Sequence, residues 1–219
     1  MIHSLSLELY KGSNKAVHNV VGRIFLRKRL FDFMFAVLVS VLLLSWLLPI
    51  LALLIKMESR GPVFFKQLRT GKNGNPFYCY KLRSMRLNND SDHRQASRGD
   101  DRITKVGAFL RKTSLDELPQ FINVLRGEMS VVGPRPHMLQ HTLHYTQAIE
   151  NFMDRHVVTP GITGLAQVSG LRGETKETEA MVQRVKADIH YIRNWSFLLD
   201  IKIVFLTVRQ AVAGHENAF

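Results

Sequence analysis

The stretch Thr113-Ser114-Leu115-Asp116-Glu117-Leu118-Pro119-Gln120 places two adjacent carboxylates at the predicted start of a helix. Basic side chains lie on both sides of it, at Arg111, Lys112, Arg126 and Arg135. The first turn of a helix offers free backbone N–H groups and the positive end of the helix dipole, so it favours a bound phosphate. One interpretation therefore makes Asp116 a nucleophile that attacks a phosphate group.

The same stretch also has a purely structural interpretation. Ser114-x-x-Glu117 matches a capping box, in which the serine hydroxyl accepts a hydrogen bond from a backbone N–H and the glutamate reaches back. Pro119 fits the first turn of a helix because its missing N–H costs little there. Capping and phosphate binding are compatible, so this pattern leaves both open.

The overall composition points to anionic partners. The formal net charge is +12 and the isoelectric point is about 10.1. Such an excess favours nucleic acid, anionic lipid or phosphorylated substrates. Cys79 is the only cysteine, which excludes an internal disulfide. The histidines are scattered and form no zinc-type pattern with it.

A long apolar run, Phe33 to Ile55, contains no charged residue. As a helix it would be about 35 Å long, enough to cross a bilayer core of about 30 Å. Basic residues flank both ends, whereas a simple span is positive on one side. This favours a re-entrant helix that breaks near Pro49; a kinked, fully spanning helix is the alternative. We expect Asp32 to pair with Lys28 or Arg29 at the interface.

The rest of the chain predicts a mainly α fold with a small β-hairpin, an α+β class. Two short strands, 62–67 and 77–82, flank a turn rich in Gly and Asn. Helical patterns cover 103–111, 118–125, 137–156, 178–193 and 195–208. The last pattern suits a helix at the level of the lipid headgroups, or a core helix.

Two further basic positions follow from local geometry. Lys81 and Arg83 are two residues apart, so they share a face if the strand continues; a solvated basic edge is the structural alternative. Arg135 lies between Pro134 and Pro136, which restrict its backbone. That rigidity suits an arginine aimed at a phosphate or a carboxylate.

Several motifs occur in a fixed order along the chain. They are Lys28-Arg29-x-Phe31-Asp32, Tyr80–Met85, Arg111–Gln120, Asn123–Ser130, Val132–Pro136 and Pro160–Gly164. Over residues 27–210 the chain resembles the bacterial sugar transferase family, the monotopic polyprenyl-phosphate phosphoglycosyl transferases. The resemblance implies an N-terminal segment at the interface (1–27), a membrane-inserted helix (28–56) and a compact cytosolic catalytic domain (57–219).

The resemblance also implies a reaction and a set of site residues. A hexose 1-phosphate would pass from a UDP-hexose to undecaprenyl phosphate with release of UMP, and this transfer would initiate a surface polysaccharide. Within the family, the chain looks most like members that transfer glucose 1-phosphate. Asp116 would form a phosphosugar intermediate and ligate Mg²⁺, and Glu117 would assist with the metal or with proton handling. Substrate binding would fall to Lys81, Arg83, Arg111, Arg135 and Asp188.

The same resemblance predicts where the protein works and with what. We expect membrane lipid as a partner, no nucleic acid, and a place in the bacterial inner (cytoplasmic) membrane with the catalytic domain on the cytoplasmic face. A homo-oligomer stays open. Two other functions also stay open: a basic, membrane-tethered nucleic-acid binder, and a non-catalytic scaffold for polysaccharide assembly in which the Asp-Glu pair only caps a helix.

Overall fold

The computed structural model describes residues 25–87, 99–173 and 178–213. Within this part the fold is mostly helical with two small sheets, which confirms the predicted α+β composition. Residues 1–24, 88–98, 174–177 and 214–219 lie outside this part, and with them most of the N-terminal segment (1–27) that was expected at the interface.

The apolar N-terminal run is one long helical segment. It consists of α1 (Phe25–Val39), a π-helical turn (Ser40–Leu44) and α2 (Ser45–Glu58). Among the described residues one helix, Leu26–Glu58, is long and apolar enough to cross a membrane by length and composition.

The irregular turn lies before the predicted break, since Pro49 itself sits inside α2. Proline cannot donate to the carbonyl four residues earlier, so the strain falls on the preceding turn. There the Ser45 hydroxyl donates to the Val41 carbonyl at 2.6 Å. A π-turn is a known way for a helix to absorb such a disruption.

Both halves of this segment contact the rest of the protein. α1 packs on α4 (Gln120–Arg126) and β3 (Ser130–Val132), while α2 packs on α3 (Lys105–Thr113). Ala36, Leu51 and Ile55 are buried in these contacts. The opposite face exposes a row of large apolar side chains, which in water would be unfavourable over this length.

Polar contacts fix the base of α1. Asp32 accepts hydrogen bonds from the Ser130 hydroxyl and the Val131 N–H, at 2.7 and 3.0 Å. Lys28 pairs with Asp200 at 2.7 Å, and Arg29 donates to the carbonyls that end α4. Asp32 therefore makes no direct ion pair with Lys28 or Arg29, because each group finds a partner in the body of the protein. Lys28 still acts on Asp32 as a nearby positive charge.

The predicted hairpin is confirmed, and its first strand begins two residues later and ends three residues later than predicted. β1 (Phe64–Thr70) pairs antiparallel with β2 (Pro76–Leu82), and Phe64 lies opposite Leu82. The turn between them is a short 3₁₀ segment, Lys72–Gly74, in which Asn73 has a φ of 57°. Asparagine tolerates this left-handed conformation better than most residues.

A second sheet brings together segments that are far apart in sequence. β3 pairs in parallel with β4 (Gly161–Thr163), so Ser130 lies opposite Gly161. A Cβ atom on Gly161 would come within 2.1 Å of the Gly133 nitrogen, so the two backbones approach closely only because Gly161 has no side chain. Val124, Met129 and Val132 form the adjoining core with Ile203.

The remaining helices surround these sheets. They are α5 (Leu139–Ala148), the short α6 (Leu165–Val168), α7 (Thr178–Arg193) and α8 (Phe197–Ala213). The helix predicted over 137–156 ends at Ala148 and is followed by a 3₁₀ segment, Phe152–Val157, because Asn151 adopts a left-handed conformation with a φ of 59°.

Candidate active site

The Asp-Glu pair lies in a tight turn between two helices. α3 ends at Thr113, Ser114 adopts a left-handed conformation with a φ of 59°, and a 3₁₀ turn covers Leu115–Glu117. α4 begins only at Gln120, two residues after the start predicted for the helix over 118–125, so the Asp-Glu pair precedes this helix. The capping-box interpretation is wrong, because the Ser114 side chain makes no capping hydrogen bond to this turn.

Glu117 is held between two cations. Lys81 donates to it at 2.9 Å, and Arg135 donates through both terminal nitrogens, one of them at 3.1 Å. Glu117 is only 6% exposed, and this burial opposes its ionisation. Arg135 and Lys81 together outweigh that cost and hold the pKa of Glu117 well below its usual value. Both oxygens of Glu117 are therefore committed to cations.

Asp116 has a different environment, although it is equally buried at 6% exposure. Burial raises its pKa, and the neighbouring Glu117 adds to the rise, against the opposing effect of Lys81 and Arg111. No described residue donates a hydrogen bond to its carboxylate. A buried carboxylate with free oxygens beside cations is suited to accept a ligand or to attack one.

Two further guanidinium groups complete the surroundings of Asp116. Arg111, at the end of α3, donates to the Ser84 hydroxyl at 3.3 Å. Arg172 donates to the Ser114 hydroxyl at 3.0 Å and is a charged neighbour of both carboxylates. The Asp116 cluster therefore consists of Asp116, Glu117, Lys81, Arg111, Arg135 and Arg172.

Arg172 is a member that sequence reasoning missed as a site residue. The available signal was its place between Gly170 and Gly173, which have φ values of 83° and 106°. Glycines at such angles allow a loop to bring a side chain close to another backbone. Nothing local in the sequence connects this loop to Asp116.

The structure does not bring Arg83 into the Asp116 cluster. Its guanidinium group donates to the carbonyls of Ser59 and Arg60, just after the end of α2. The reason is that β2 ends at Leu82, so the alternation that relates Lys81 to Arg83 does not continue. Arg83 therefore anchors the end of the apolar helix, and no contact supports its predicted role in substrate binding.

Asp188 also lies outside this cluster, but it is connected to it. Its carboxylate is 2.6 Å from Arg155, and both side chains are buried. Arg155 in turn donates to the Arg135 carbonyl at 2.9 Å and contacts the His137 ring. We define the Asp188 cluster as Asp188, Arg155, His137 and His156. Asp188 is thus connected to the site through Arg155 and the backbone carbonyl of Arg135.

A second arginine, which is partly buried, fixes the other side of the Pro134–Pro136 segment. Arg69 donates to the Pro136 carbonyl at 2.8 Å and to the Gln67 side chain. Adjacent carbonyls, those of Arg135 and Pro136, are therefore each held by a guanidinium group. With prolines on both sides, the backbone of Arg135 has little freedom, which aims its side chain at Glu117.

Within the described residues no group of three or more His, Cys, Asp or Glu side chains could hold a metal ion. The carboxylate that fits one is Asp116, because the oxygens of Glu117 are occupied by Lys81 and Arg135. Mg²⁺ commonly takes one or two protein carboxylates and completes its shell with substrate phosphates and water. The donor set fits a metal that arrives with a phosphorylated substrate.

Comparison with known proteins relates this chain to a protein family. The family model described as bacterial sugar transferase matches residues 23–214. A UDP-glucose:undecaprenyl-phosphate glucose-1-phosphate transferase from Escherichia coli is 55% identical over 184 residues, which is 84% of this chain and 39% of that protein. The chain thus spans about two fifths of that relative's length.

Two other relatives differ from the E. coli protein, the first in coverage and the second in name. A protein of the same name from Caulobacter vibrioides is 52% identical over 89% of this chain and 72% of its own length. An N-acetylgalactosaminephosphotransferase that acts on undecaprenyl phosphate, from Aeromonas hydrophila, is 43% identical over 85% of this chain and 44% of its own length. Similarity is therefore greater to the relatives named for glucose.

Proposed function

The chain belongs to the bacterial sugar transferase family, and we propose that it transfers a hexose 1-phosphate from a UDP-hexose to undecaprenyl phosphate with release of UMP. The observation that carries this proposal is the contrast between adjacent carboxylates, one locked by Lys81 and Arg135 and the other free beside Arg111 and Arg172.

In the first step Asp116 attacks the phosphorus that carries the sugar. A carboxylate oxygen forms a bond to this phosphorus, the bridging oxygen leaves with UMP, and an aspartyl phosphosugar remains on the protein. The terminal phosphate oxygen of undecaprenyl phosphate then attacks the same phosphorus and releases Asp116. Each step exchanges one P–O bond for another, so no oxidant or other co-reactant is required.

The charges around Asp116 support an attack of one anion on another. Arg111 and Arg172 lie beside the carboxylate and would offset the negative charge of the incoming diphosphate. Glu117 holds Arg135 and Lys81 in place, so its role is to orient these cations. Mg²⁺ would be held by Asp116 and the substrate phosphates, and it would supply further charge neutralisation.

The donor sugar is proposed to be glucose. The relatives named for glucose include proteins at 55% and 52% identity, while the relative named for N-acetylgalactosamine is 43% identical. Initiation of a surface polysaccharide would follow, since a relative named exopolysaccharide production protein from Rhizobium leguminosarum is 46% identical over 83% of this chain.

The proposed location is the cytoplasmic face of the inner membrane, and two apolar surfaces support the contact with a membrane. The outward face of α1 and α2 is apolar, and α8 exposes Phe197, Ile201 and Phe205. The rings of Phe31 and Phe197 meet edge to face at 5.1 Å, so α1 and α8 contact each other at this point. Both halves of the long helix contact the same body, which favours re-entrance over a full span.

A two-part assay tests the proposal. The protein, reconstituted in lipid nanodiscs, receives a panel of labelled UDP-hexoses with and without undecaprenyl phosphate, and UMP is measured. With the acceptor, UDP-glucose should give continuous Mg²⁺-dependent turnover. Without it, at most one equivalent of UMP should appear, together with protein labelled by the sugar.

Each part of the assay has an outcome that contradicts the proposal. Absence of UMP release from every UDP-hexose would favour the non-catalytic scaffold. Turnover without any labelled protein, even after rapid acid quenching, would support direct transfer and remove the covalent intermediate.

A further inference from the structure

The four cations of the Asp116 cluster fall into two pairs. Lys81 and Arg135 are ion-paired with Glu117. Arg111 and Arg172 instead donate to serine hydroxyls, of Ser84 at 3.3 Å and of Ser114 at 3.0 Å. A hydroxyl is a weaker partner for a guanidinium group than a carboxylate or a phosphate. The second pair is therefore the one that a substrate could engage without breaking an ion pair.

Arg172 is held in a partly buried position beside Asp116. Burial lowers its pKa, and the attraction of Glu117 only partly offsets this. Among the described residues its hydrogen-bond partner is Ser114, so most of its five N–H donors lack one there. A partly desolvated guanidinium group of this kind gains most from an anion that accepts two hydrogen bonds.

The loop that carries Arg172 is firmly mounted. Arg184 donates to the carbonyls of Leu171 and Gly173, at 2.9 and 3.2 Å. The Leu171 N–H donates to the Ala166 carbonyl at 3.0 Å. Both neighbours of Arg172 are therefore fixed through their backbones, so a change of its partner requires only rotation of the side chain.

We propose that Arg172 is a substrate-binding residue: it leaves the Ser114 hydroxyl and binds the diphosphate of the donor, opposite Arg111. The proposal rests on the proposed function, because the diphosphate that it binds is the one whose sugar-bearing phosphorus Asp116 attacks. Ser114 is then the resting partner of Arg172, two residues from the attacking carboxylate.

Three variants test this assignment, with Arg193→Gln, an exposed arginine outside the cluster, as the control for loss of one positive charge. Arg172→Gln should reduce kcat/KM for UDP-glucose roughly ten- to a hundredfold, the range for loss of a charge-assisted hydrogen bond. Arg172→Lys should restore part of it, because a lysine keeps the charge but lacks the planar fork. Ser114→Ala should cost at most a few-fold.

Binding of UDP, measured by calorimetry on the same nanodiscs, provides a readout that does not need turnover. Arg172→Gln should weaken UDP binding in proportion to its rise in KM, whereas Arg193→Gln should not. A merely structural Arg172 would instead make Ser114→Ala as damaging as Arg172→Gln, because either change breaks the same bond.

The failures of the two proposals are distinguishable. If the unaltered protein turns over UDP-glucose and Arg172→Gln retains its kcat/KM and its UDP affinity, the assignment of Arg172 is overturned and the proposed function stands. If the unaltered protein releases no UMP, the proposed function fails. In that case a UDP affinity that is absent, or unchanged in Arg172→Gln, overturns the assignment as well.

Discussion

Two buried ionic clusters meet at Arg135, whose side chain belongs to the Asp116 cluster and whose carbonyl accepts a hydrogen bond from the Asp188 cluster. In the Asp188 cluster the guanidinium group of Arg155 is directed at protein partners: the Asp188 carboxylate, the His137 ring and the Arg135 carbonyl. In the Asp116 cluster, Asp116 accepts no hydrogen bond from any described residue, and Arg111 and Arg172 donate only to hydroxyls.

This difference shows how a buried ionic cluster with a structural role can be distinguished from a reactive site. Burial of the carboxylates is alike in the two clusters, since Asp116 is 6% exposed and Asp188 is 2% exposed. Unused buried donors do not separate them, since Arg155 Nε and His156 Nδ1 also lack a hydrogen-bond partner among the described residues. What separates them is pairing of the carboxylates: Asp188 is 2.6 Å from Arg155, whereas Asp116 has no ion-pair partner among the described residues. A support holds its charges with protein partners, whereas a site for an anionic substrate keeps cations and a nucleophile ready for that substrate.

The substitution with the largest expected effect is Asp116→Asn, which tests the difference between the two clusters directly. UMP release should fall by about a thousandfold or more, because the amide cannot serve as the nucleophile. The melting temperature should stay the same or rise, since burial disfavours the ionised carboxylate that the substitution removes. Asp101→Asn, at an exposed aspartate, is the control. Substantial residual turnover would remove Asp116 from the nucleophile role.

In contrast to Asp116→Asn, Glu117→Gln should reduce stability strongly and activity less. Loss of the charge leaves Arg135 and Lys81 facing a neutral amide, and breaking a buried ion pair costs about 3–5 kcal/mol. We expect the free energy of unfolding to fall by that order and kcat to fall roughly a hundredfold. Glu150→Gln is the exposed control. Normal stability in Glu117→Gln would contradict its role in holding the cations.

Asp188→Asn tests the structural role of the Asp188 cluster. Arg155 would lose its carboxylate partner, so stability should fall by about 3–5 kcal/mol, while kcat should fall only about tenfold because Arg135 keeps its bond to Glu117. The double variant Arg155→Met with Asp188→Leu removes both charges and should recover much of the stability. It should not recover kcat, because the bond to the Arg135 carbonyl is lost. Full recovery of both would make this carbonyl contact unimportant.

The smallest expected effect is a pH dependence of stability that arises in the Asp188 cluster. Burial lowers the pKa of His137 well below its usual value and that of His156 to about 3, and Arg155 adds to both shifts. The unfolded chain binds these protons near pH 6.5 and the folded chain does not, so stability is lost as pH falls below about 6.5.

The measurement is the melting temperature between pH 7 and pH 5, within the window of about 6.5 to 3 in which these histidines differ between the folded and unfolded states. His156→Gln should flatten the decrease, while His190→Gln, at an exposed position, should not. An equal slope in all three proteins would show that these histidines do not control acid stability.

Much of the candidate site could be predicted from the sequence. Asp116, Glu117, Arg111 and Arg135 lie within 25 residues of one another, and the structure brings these four together with Lys81. Local patterns of charge, proline and apolar residues carried that prediction. Arg172 was missed, and Arg83 and Asp188 lie outside the Asp116 cluster, because these positions depend on contacts between distant segments.

The sequence by itself determined the elements whose cause is local: the long apolar helix, the hairpin and the Asp-Glu pair among basic residues. Only the tertiary structure decided which carboxylate is locked and which is free, that Arg172 lies in the Asp116 cluster while Arg83 does not, and that Asp188 pairs with Arg155. The physical reason is that periodicity and residue type act over a few neighbours, whereas ion pairs and parallel strand pairing join segments that only folding brings together.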